Sequence, residues 1–210
     1  MAKGDKISMS VIRRLPRYYR FLADLHEKGI DHISSSELAE RMGLTASQIR
    51  QDLNCFGGFG QQGYGYIVNQ LRDKISDILG LDDCLKTILI GAGNLGKAVA
   101  THMSFESRGF ELIGIFDCDP TLTGYELRNL YVQHSDDLAG FCKSARPQIA
   151  ILCIPIDAAP DVTDLLYKNG IRHFWNFSHY DIARKHPDAV VENVHLSDSL
   201  MTLCYRAHHG

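Results

Sequence analysis

The chain is 210 residues long, 45% hydrophobic and 22% charged, with a formal net charge of −3, the profile of an ordinary globular protein of one or two domains. No apolar run approaches the ~20 residues that span a bilayer, and residues 1–20 hold no apolar segment of a secretory leader, so the expected setting is the cytoplasm, with no membrane partner. Six scattered cysteines (55, 84, 118, 142, 153 and 204) contain no CxxC pair and read as free thiols, with no metal site expected.

Charge is distributed unevenly. Residues 1–80 carry 11 basic and 9 acidic side chains, residues 81–210 carry 11 and 16, and residues 1–20 hold six basic residues against one acid. A basic beginning beside an acidic remainder suits an end that faces DNA, and it makes Arg13, Arg14 and Arg17 candidate DNA contacts.

Three helices follow from their caps. The first runs from Pro16 to Lys28 and stops at Gly29, with Tyr18, Phe21, Leu22 and Leu25 on its apolar face. The second begins at Ser34, where Ser34 and Glu37 have capping-box spacing and Ile33 and Leu38 that of a hydrophobic staple; it ends near Gly43. The third repeats the device with Thr45 and Gln48 as box and Leu44 and Ile49 as staple. Two short capped helices about a glycine-containing turn make a helix-turn-helix. In the third helix Ile49, Leu53 and Phe56 share the buried face, which leaves Ser47, Gln48, Arg50, Gln51 and Asn54 for solvent or for base edges in a major groove.

Residues 57–66 interleave five glycines with aromatics, a composition that predicts a tight hairpin. A hairpin after the third helix makes the module a winged helix and adds Phe59, Gln61, Gln62 and Tyr64 to the candidate DNA contacts. A connecting helix is expected from Ile67 to Leu79, with Leu71, Ile75, Ile78 and Leu79 on one face. Gly80 ends it and places the boundary of a DNA-binding domain of residues 1–80.

The apolar run Ile88-Leu-Ile90 then leads into Gly91-Ala92-Gly93-Asn94-Leu95-Gly96, and an apolar helical pattern (Leu95, Val99, Met103) follows. Strand, glycine turn and helix together form a dinucleotide-binding fingerprint. Gly91 serves the turn, Gly93 the approach of a pyrophosphate and Gly96 the packing of helix on strand. A second strand, Glu111 to Phe116, ends in Asp117, 26 residues after Gly91, where a carboxylate can accept hydrogen bonds from ribose hydroxyls; Asp119 is the less favoured candidate. No basic residue follows in Cys-Asp-Pro-Thr-Leu-Thr-Gly, so NADH or NAD⁺ is expected rather than the phosphorylated cofactor.

Further strands are expected at Ile149–Ile154, Arg172–Asn176 and Ala189–Val194, with a helix from Asp157 to Asn169. The alternation implies a Rossmann-type, doubly wound parallel sheet over residues 81–195. Cys153, Ile154, Pro155, Asn176 and Phe177 stand at carboxyl ends of strands and should border the cofactor. Only residues 196–210 remain after the sheet, too few for a substrate domain, and no histidine, nucleophile elbow or P-loop forms a catalytic constellation. The nucleotide is therefore expected as an effector, not a redox reagent. The alternatives are a small NAD-dependent oxidoreductase with an accessory helix-turn-helix domain, or a module for another nucleotide such as coenzyme A. The tail from Leu196 to Ala207 is amphipathic, with Leu196, Leu200, Leu203 and Cys204 on one face; its face suits its own domain or a partner subunit.

The segments Arg14-Leu-Pro-Arg-Tyr-Tyr-Arg20, Ile33-Ser-Ser-Ser-Glu-Leu-Ala39, Gln48-Ile-Arg-Gln-Asp-Leu53, Phe56-Gly-Gly-Phe-Gly60, Gly91-Ala-Gly-Asn-Leu-Gly96, Phe116-Asp-Cys-Asp-Pro120 and Trp175-Asn-Phe177 together resemble the Rex family of redox-sensing transcriptional repressors over nearly the whole chain. The resemblance implies a homodimer on a palindromic double-stranded operator, released by NADH, with the C-terminal helix exchanged between subunits and target genes of fermentation and anaerobic respiration. It also implies that Arg20 links the DNA domain to the cofactor domain. Three positions depart from the family pattern: Gln61 and Gln62 stand where a basic pair is common, Gln51 where lysine is common, and His195 where an aspartate pairs with the arginine matching Arg20. Each missing phosphate contact weakens binding and flattens its salt dependence, and histidine cannot make that ion pair.

Overall fold

The computed structural model describes residues 7–58 and 65–209 and divides the chain into two units, the first ending at Asp82 and the second beginning at Asp83. Among the described residues no helix is long and apolar enough to cross a membrane.

The first unit holds α1 (Met9–Ile12), α2 (Leu15–Glu27), β1 (His32–Ile33), α3 (Ser35–Met42), α4 (Ala46–Asn54), β2 (Tyr66–Ile67) and α5 (Val68–Leu79). Its core is the meeting of four apolar stripes: Leu15, Tyr18, Leu22 and Leu25 from α2, Leu38 and Met42 from α3, Ile49 and Leu53 from α4, Leu71 and Ile75 from α5. Both arms of the capping box at Ser34 form: the Glu37 amide donates to Ser34 Oγ at 3.1 Å and the Ser34 amide donates to Glu37 Oε2 at 2.8 Å. At the head of α4 only one arm forms, the Gln48 amide donating to Thr45 Oγ1 at 3.1 Å. The expected second arm is missing because the Gln48 side chain is engaged elsewhere. Tyr66 and Ile67 pair antiparallel with Ile33 and His32. Gly65 fits there because an added Cβ would lie 2.5 Å from the Ile33 carbonyl oxygen. Most of the expected hairpin, with Phe59, Gln61, Gln62 and Tyr64, lies outside the described residues.

The second unit contains β3 (Leu85–Ile90), α6 (Asn94–His102), β4 (Phe110–Asp117), β5 (Glu126–Leu127), β6 (Leu130–His134), α7 (Leu138–Ala145), β7 (Ile149–Leu152), α8 (Ala159–Lys168), β8 (His173–Asn176), α9 (Ile182–Lys185), β9 (Val190–Asn193) and α10 (Leu196–His209). The seven strands lie in the order β5-β6-β4-β3-β7-β8-β9, parallel except for β5 against β6. The order reverses direction between β3 and β7, the crevice in which open α/β sheets bind ligands. Ile88, Ile90, Ala150, Leu152 and Phe174 form a core with Leu138 and Leu166 of α7 and α8; Leu89, Ile115, Ile151, Val99 and Ala100 form another on the α6 side.

Several boundaries differ from expectation. β7 stops at Leu152, which leaves Cys153, Ile154 and Pro155 in the following loop, and α8 begins at Ala159 instead of Asp157, with its proline in the first turn. The sequence reading offered no elements for β5, β6 or α7. Helix α10 has no buried residue, and Leu196, Leu200, Met201, Leu203 and Tyr205 are each at least 60% exposed.

Candidate nucleic-acid and nucleotide sites

In the first unit α4 presents one side to solvent. Ser47, Arg50, Gln51 and Asn54 are exposed and line an open hollow with Cys55. Arg50 Nη1 donates to Ser35 Oγ at 3.0 Å, tying α4 to the start of α3.

The other side of α4 carries a charge that the sequence reading did not single out. Asp52 is 1% exposed and its carboxylate accepts four hydrogen bonds. Oδ1 receives Arg14 Nη2 at 2.7 Å and Gln48 Nε2 at 2.8 Å; Oδ2 receives Arg14 Nε at 2.6 Å and Tyr18 Oη at 2.7 Å. Burial pushes Asp52 up, but donation from Arg14, Tyr18 and Gln48 outweighs it and holds the acid below the usual carboxylate range. Burial, then the bond to Asp52, pushes the Tyr18 phenol well above its usual range. The signal for Asp52 was present in the sequence: it falls between Ile49 and Leu53 on the apolar arc of α4, and an acid placed there requires partners.

Three candidate DNA contacts are therefore also structural. Arg14 spends Nε and Nη2 on Asp52, with Nη1 unused in that pair. Gln48 spends an amide N–H on it. Arg17 donates through Nη2 to the Met42 carbonyl, at the turn before α4. Arg13 and Arg20 are exposed on the surface of this unit.

In the second unit the glycine turn is shaped by what its residues lack. Gly91 has φ +96, and an added Cβ would lie 2.4 Å from the Cys153 carbonyl oxygen. At Gly96 an added Cβ would lie 1.8 Å from the Gly91 carbonyl oxygen, so α6 starts hard against the turn. Gly93 has nothing within 4 Å of that position. Gly91, Ala92 and Gly96 are buried, whereas Gly93, Asn94 and Leu95 are exposed. No side chain caps α6, whose N-cap is Gly93, so its first N–H groups face outward as an anion site requires.

Asp117 braces this turn from the end of β4. Its Oδ2 accepts the Ala92 amide at 2.6 Å and its Oδ1 the Asp119 amide at 2.9 Å. Asp119 instead accepts from the Thr121 amide and hydroxyl at 2.8 and 2.7 Å. Cys153, across the crevice, has its thiol pushed up to about 12 by burial, the environment of an inert thiol. Ile154 is half-buried and Pro155 exposed in the same loop.

Asn176 ends β8 as a knot: Nδ2 donates to the Tyr180 carbonyl at 2.9 Å and to Asn193 Oδ1 at 2.8 Å, while Oδ1 accepts the Ser178 amide at 3.0 Å and hydroxyl at 2.6 Å. It fixes the loop that presents Phe177, whose ring meets Trp175 edge-on at 4.7 Å. His195 lies beside His179, Nδ1 to Nδ1, with the rings stacked at 4.5 Å; His179 holds φ +62. This pair follows the carboxyl ends of β8 and β9, and the sequence reading did not anticipate it.

One more feature of the sheet is open. On its α6 side, Phe105, Phe110, Ile149, Ile151, Trp175 and Val190 line an apolar hollow of about 350 Å³. Among the described residues no group of three or more His, Cys, Asp or Glu is arranged to hold a metal ion.

With known proteins the chain compares as follows. A family model described as a putative DNA-binding protein N-terminus matches residues 6–54, and one described as a CoA binding domain matches residues 82–180. The chain is 54% identical over 207 residues to the redox-sensing transcriptional repressor Rex of Thermoanaerobacter pseudethanolicus, covering 98% of this chain and 92% of that protein. It is 55% identical over 207 residues to the protein of the same name from Caldanaerobacter subterraneus subsp. tengcongensis, with the same coverage of 98% and 92%. Among solved structures it is similar to RSP in complex with beta-NAD+ and operator DNA, at 51% identity and a TM-score of 0.88 over 97% of this chain and 93% of that one. It is likewise similar to RSP in complex with beta-NADH, at 48% identity and a TM-score of 0.88 over 97% and 95%.

Proposed function

This chain belongs to the family of Rex redox-sensing transcriptional repressors, and on that premise we propose how its two sites divide the work. The protein is a DNA-binding repressor whose effector is NADH or NAD⁺, not an enzyme that consumes it. Residues 1–80 read the operator: Ser47, Gln48, Arg50, Gln51 and Asn54 face the groove from α4, and Arg13, Arg14 and Arg17, with Phe59, Gln61, Gln62 and Tyr64, contact the DNA around it. Residues 81–195 hold the nucleotide. The pyrophosphate sits over Gly93 at the uncapped start of α6, Asp117 takes the ribose, and the loops after β7 and β8, with Cys153 to Pro155, Asn176 and Phe177, border the rest.

The observation that carries this reading is the contrast along the turn. Gly91 and Gly96 are closed by backbone within van der Waals distance, whereas Gly93 opens onto empty space beside free helix N–H groups. A phosphate needs that arrangement.

The protein acts as a homodimer in the cytoplasm. The support for the dimer is α10, a 14-residue helix with an apolar arc that the described residues of its own chain do not cover; exchange into a second copy would bury it, and a helix-turn-helix dimer fits a palindrome. A full-length chain that sediments as a monomer at operator-binding concentrations would remove this part of the proposal. Arg20 and His195 are the proposed coupling residues, with His179 as the neighbour that orients His195.

The test is fluorescence anisotropy of a labelled palindromic operator titrated with protein, then with NADH and separately with NAD⁺. Release by NADH at much lower concentration than by NAD⁺ is expected. By linkage, operator DNA must weaken NADH binding by the same factor. Operator affinity indifferent to both nucleotides would overturn the proposal.

A further inference from the structure

Glutamine is an ambivalent reader of DNA. With its amide one way round it offers an acceptor to the exocyclic amine of adenine or cytosine; turned over, it offers a donor to the acceptors of guanine or thymine. Gln48 is the third residue of α4, and N-terminal residues of a recognition helix are those that reach base edges. Which way its amide faces therefore decides what it reads.

The structure answers this without ambiguity of assignment. Gln48 lies 2.8 Å from Asp52 Oδ1, and an ionised carboxylate can only accept, so the group facing it is the NH₂. Turning the amide over would set its oxygen against the carboxylate oxygen and leave one of the four bonds to Asp52 unmade. Asp52 is itself held in place: it is 1% exposed and bonded to the Arg14 fork and the Tyr18 hydroxyl. Among the described residues Gln48 Oε1 has no hydrogen-bond partner, and the residue is half-buried, not enclosed.

We propose that Asp52 is a specificity-setting positioning residue: it holds the Gln48 amide with its oxygen outward and one of its two N–H donors engaged, so that Gln48 prefers a base presenting an exocyclic amine in the major groove, adenine or cytosine, over guanine or thymine at that position. The inference rests on the reading of α4 as the recognition helix. Asp52 itself never touches DNA. It sits on the protein side of the amide and acts only through Gln48.

The experiment uses the full-length protein and a functional operator in which each adenine or cytosine of one half-site is replaced in turn by the analogue lacking its exocyclic amine. One position is expected to lose about tenfold in affinity on removal of the amine. Gln48→Ala should show the same weakened affinity on the unmodified operator and no further loss on the analogue at that position, with its response at every other position unchanged. Asp52→Asn, whose side chain can receive either end of the glutamine amide, should tolerate guanine or thymine there better than the parent does. Because Asp52→Asn can also lower stability, the Gln48 arm decides the matter alone. The proposal is overturned if Gln48→Ala keeps the parent's full preference at every position, if it weakens all sequences uniformly as a phosphate contact would, or if the position it controls carries guanine or thymine on the strand read. Failure of the parent protein to bind any operator would instead overturn the reading of α4, and this inference with it.

Discussion

The two sites of this chain are held in place by opposite means. Helix α4 is fixed by a buried carboxylate that accepts four hydrogen bonds from three residues. The nucleotide turn is fixed by positions where no side chain fits, with backbone oxygens 2.4 and 1.8 Å from where Cβ atoms would stand at Gly91 and Gly96. A polar clamp concentrates its energy in one group whose partners fail together. A steric clamp spreads it over backbone contacts and leaves the side-chain position of the central residue, Gly93, free of steric demand. The first arrangement sets the orientation of side chains proposed to read DNA. The second sets a backbone surface, which suits a phosphate because phosphate is recognised by N–H groups.

The contrast is broken most forcefully at Asp52. Asp52→Ala removes the acceptor and strands the Arg14 guanidinium, the Tyr18 hydroxyl and the Gln48 amide near the core. Loss of one member of a buried ion pair costs roughly 3–5 kcal/mol, and we expect a loss in that range in full-length chemical denaturation. Hydrogen exchange should accelerate for amides of α2 and α4 and leave those of β3 and β7 unchanged. A loss below about 1 kcal/mol, the range of an exposed ion pair, would show that the carboxylate is not the clamp.

Gly96→Ala is the matching test of the steric clamp. A methyl group 1.8 Å from the Gly91 carbonyl oxygen cannot be absorbed by a rotamer change, because the atoms it meets first are Gly91 backbone. Overpacking of this kind costs about 1–3 kcal/mol. We expect α6 to shift outward, NADH affinity measured by calorimetry to fall by at least tenfold, and operator binding without nucleotide to survive. Unaltered NADH affinity would mean that the start of α6 does not shape the site.

How much of this could be read beforehand differs between the two regions for a physical reason. The glycine turn was legible because its chemistry is local: Gly91, Gly93 and Gly96, the strand before and the acid at Asp117 lie in chain order, and each residue type has few other reasons to be there. The caps at Ser34 and Thr45 were legible on the same ground. The Asp52 clamp was not, because its partners come from two helices, α2 and α4, and the bond between Gln48 and Asp52 competes with the capping box that Thr45 and Gln48 seemed to promise. The elements β5, β6 and α7 escaped because no continuous apolar run or cap marks them: β5 is two residues long, β6 mixes polar with apolar residues, and α7 has no side-chain cap and contains Gly140. In the same way Asn176 reads as a strand-end residue from sequence, yet only the fold shows its amide committed to Tyr180, Asn193 and Ser178.

A gentler probe of the polar clamp is pH. Asp52 titrates below its ordinary value in the folded state, so its contribution is present above the ordinary carboxylate range and is lost as pH falls through the lowered one. Tyr18 titrates above its ordinary value of 10, so its contribution is full below that value and is lost as pH rises through the raised one. The clamp is thus bounded on both sides. The effect should be smaller than that of Asp52→Ala, since a protonated acid still accepts hydrogen bonds. In melts of the full chain taken across both acid and alkaline pH, Tyr18→Phe should remove the alkaline limb and retain most of the acid one. If the two limbs disappear together, Asp52 and Tyr18 do not titrate as the geometry requires.

The smallest structural effect belongs to Gly93, and it separates function from stability most cleanly. Nothing lies within 4 Å of an added Cβ there, so Gly93→Val should leave the melting of the second unit within the range of an ordinary surface substitution, about 0.5 kcal/mol. The same side chain would project into the space assigned to the pyrophosphate and screen the N–H groups of α6. NADH binding should be abolished in calorimetry while the operator is bound as tightly as by the parent without nucleotide, leaving a repressor that no longer answers to NADH. Retained NADH affinity would place the phosphates elsewhere in the crevice. Loss of affinity accompanied by unfolding would mean that Gly93, like Gly91 and Gly96, is part of the steric clamp, and the division of the turn into structural ends and a free centre would fail.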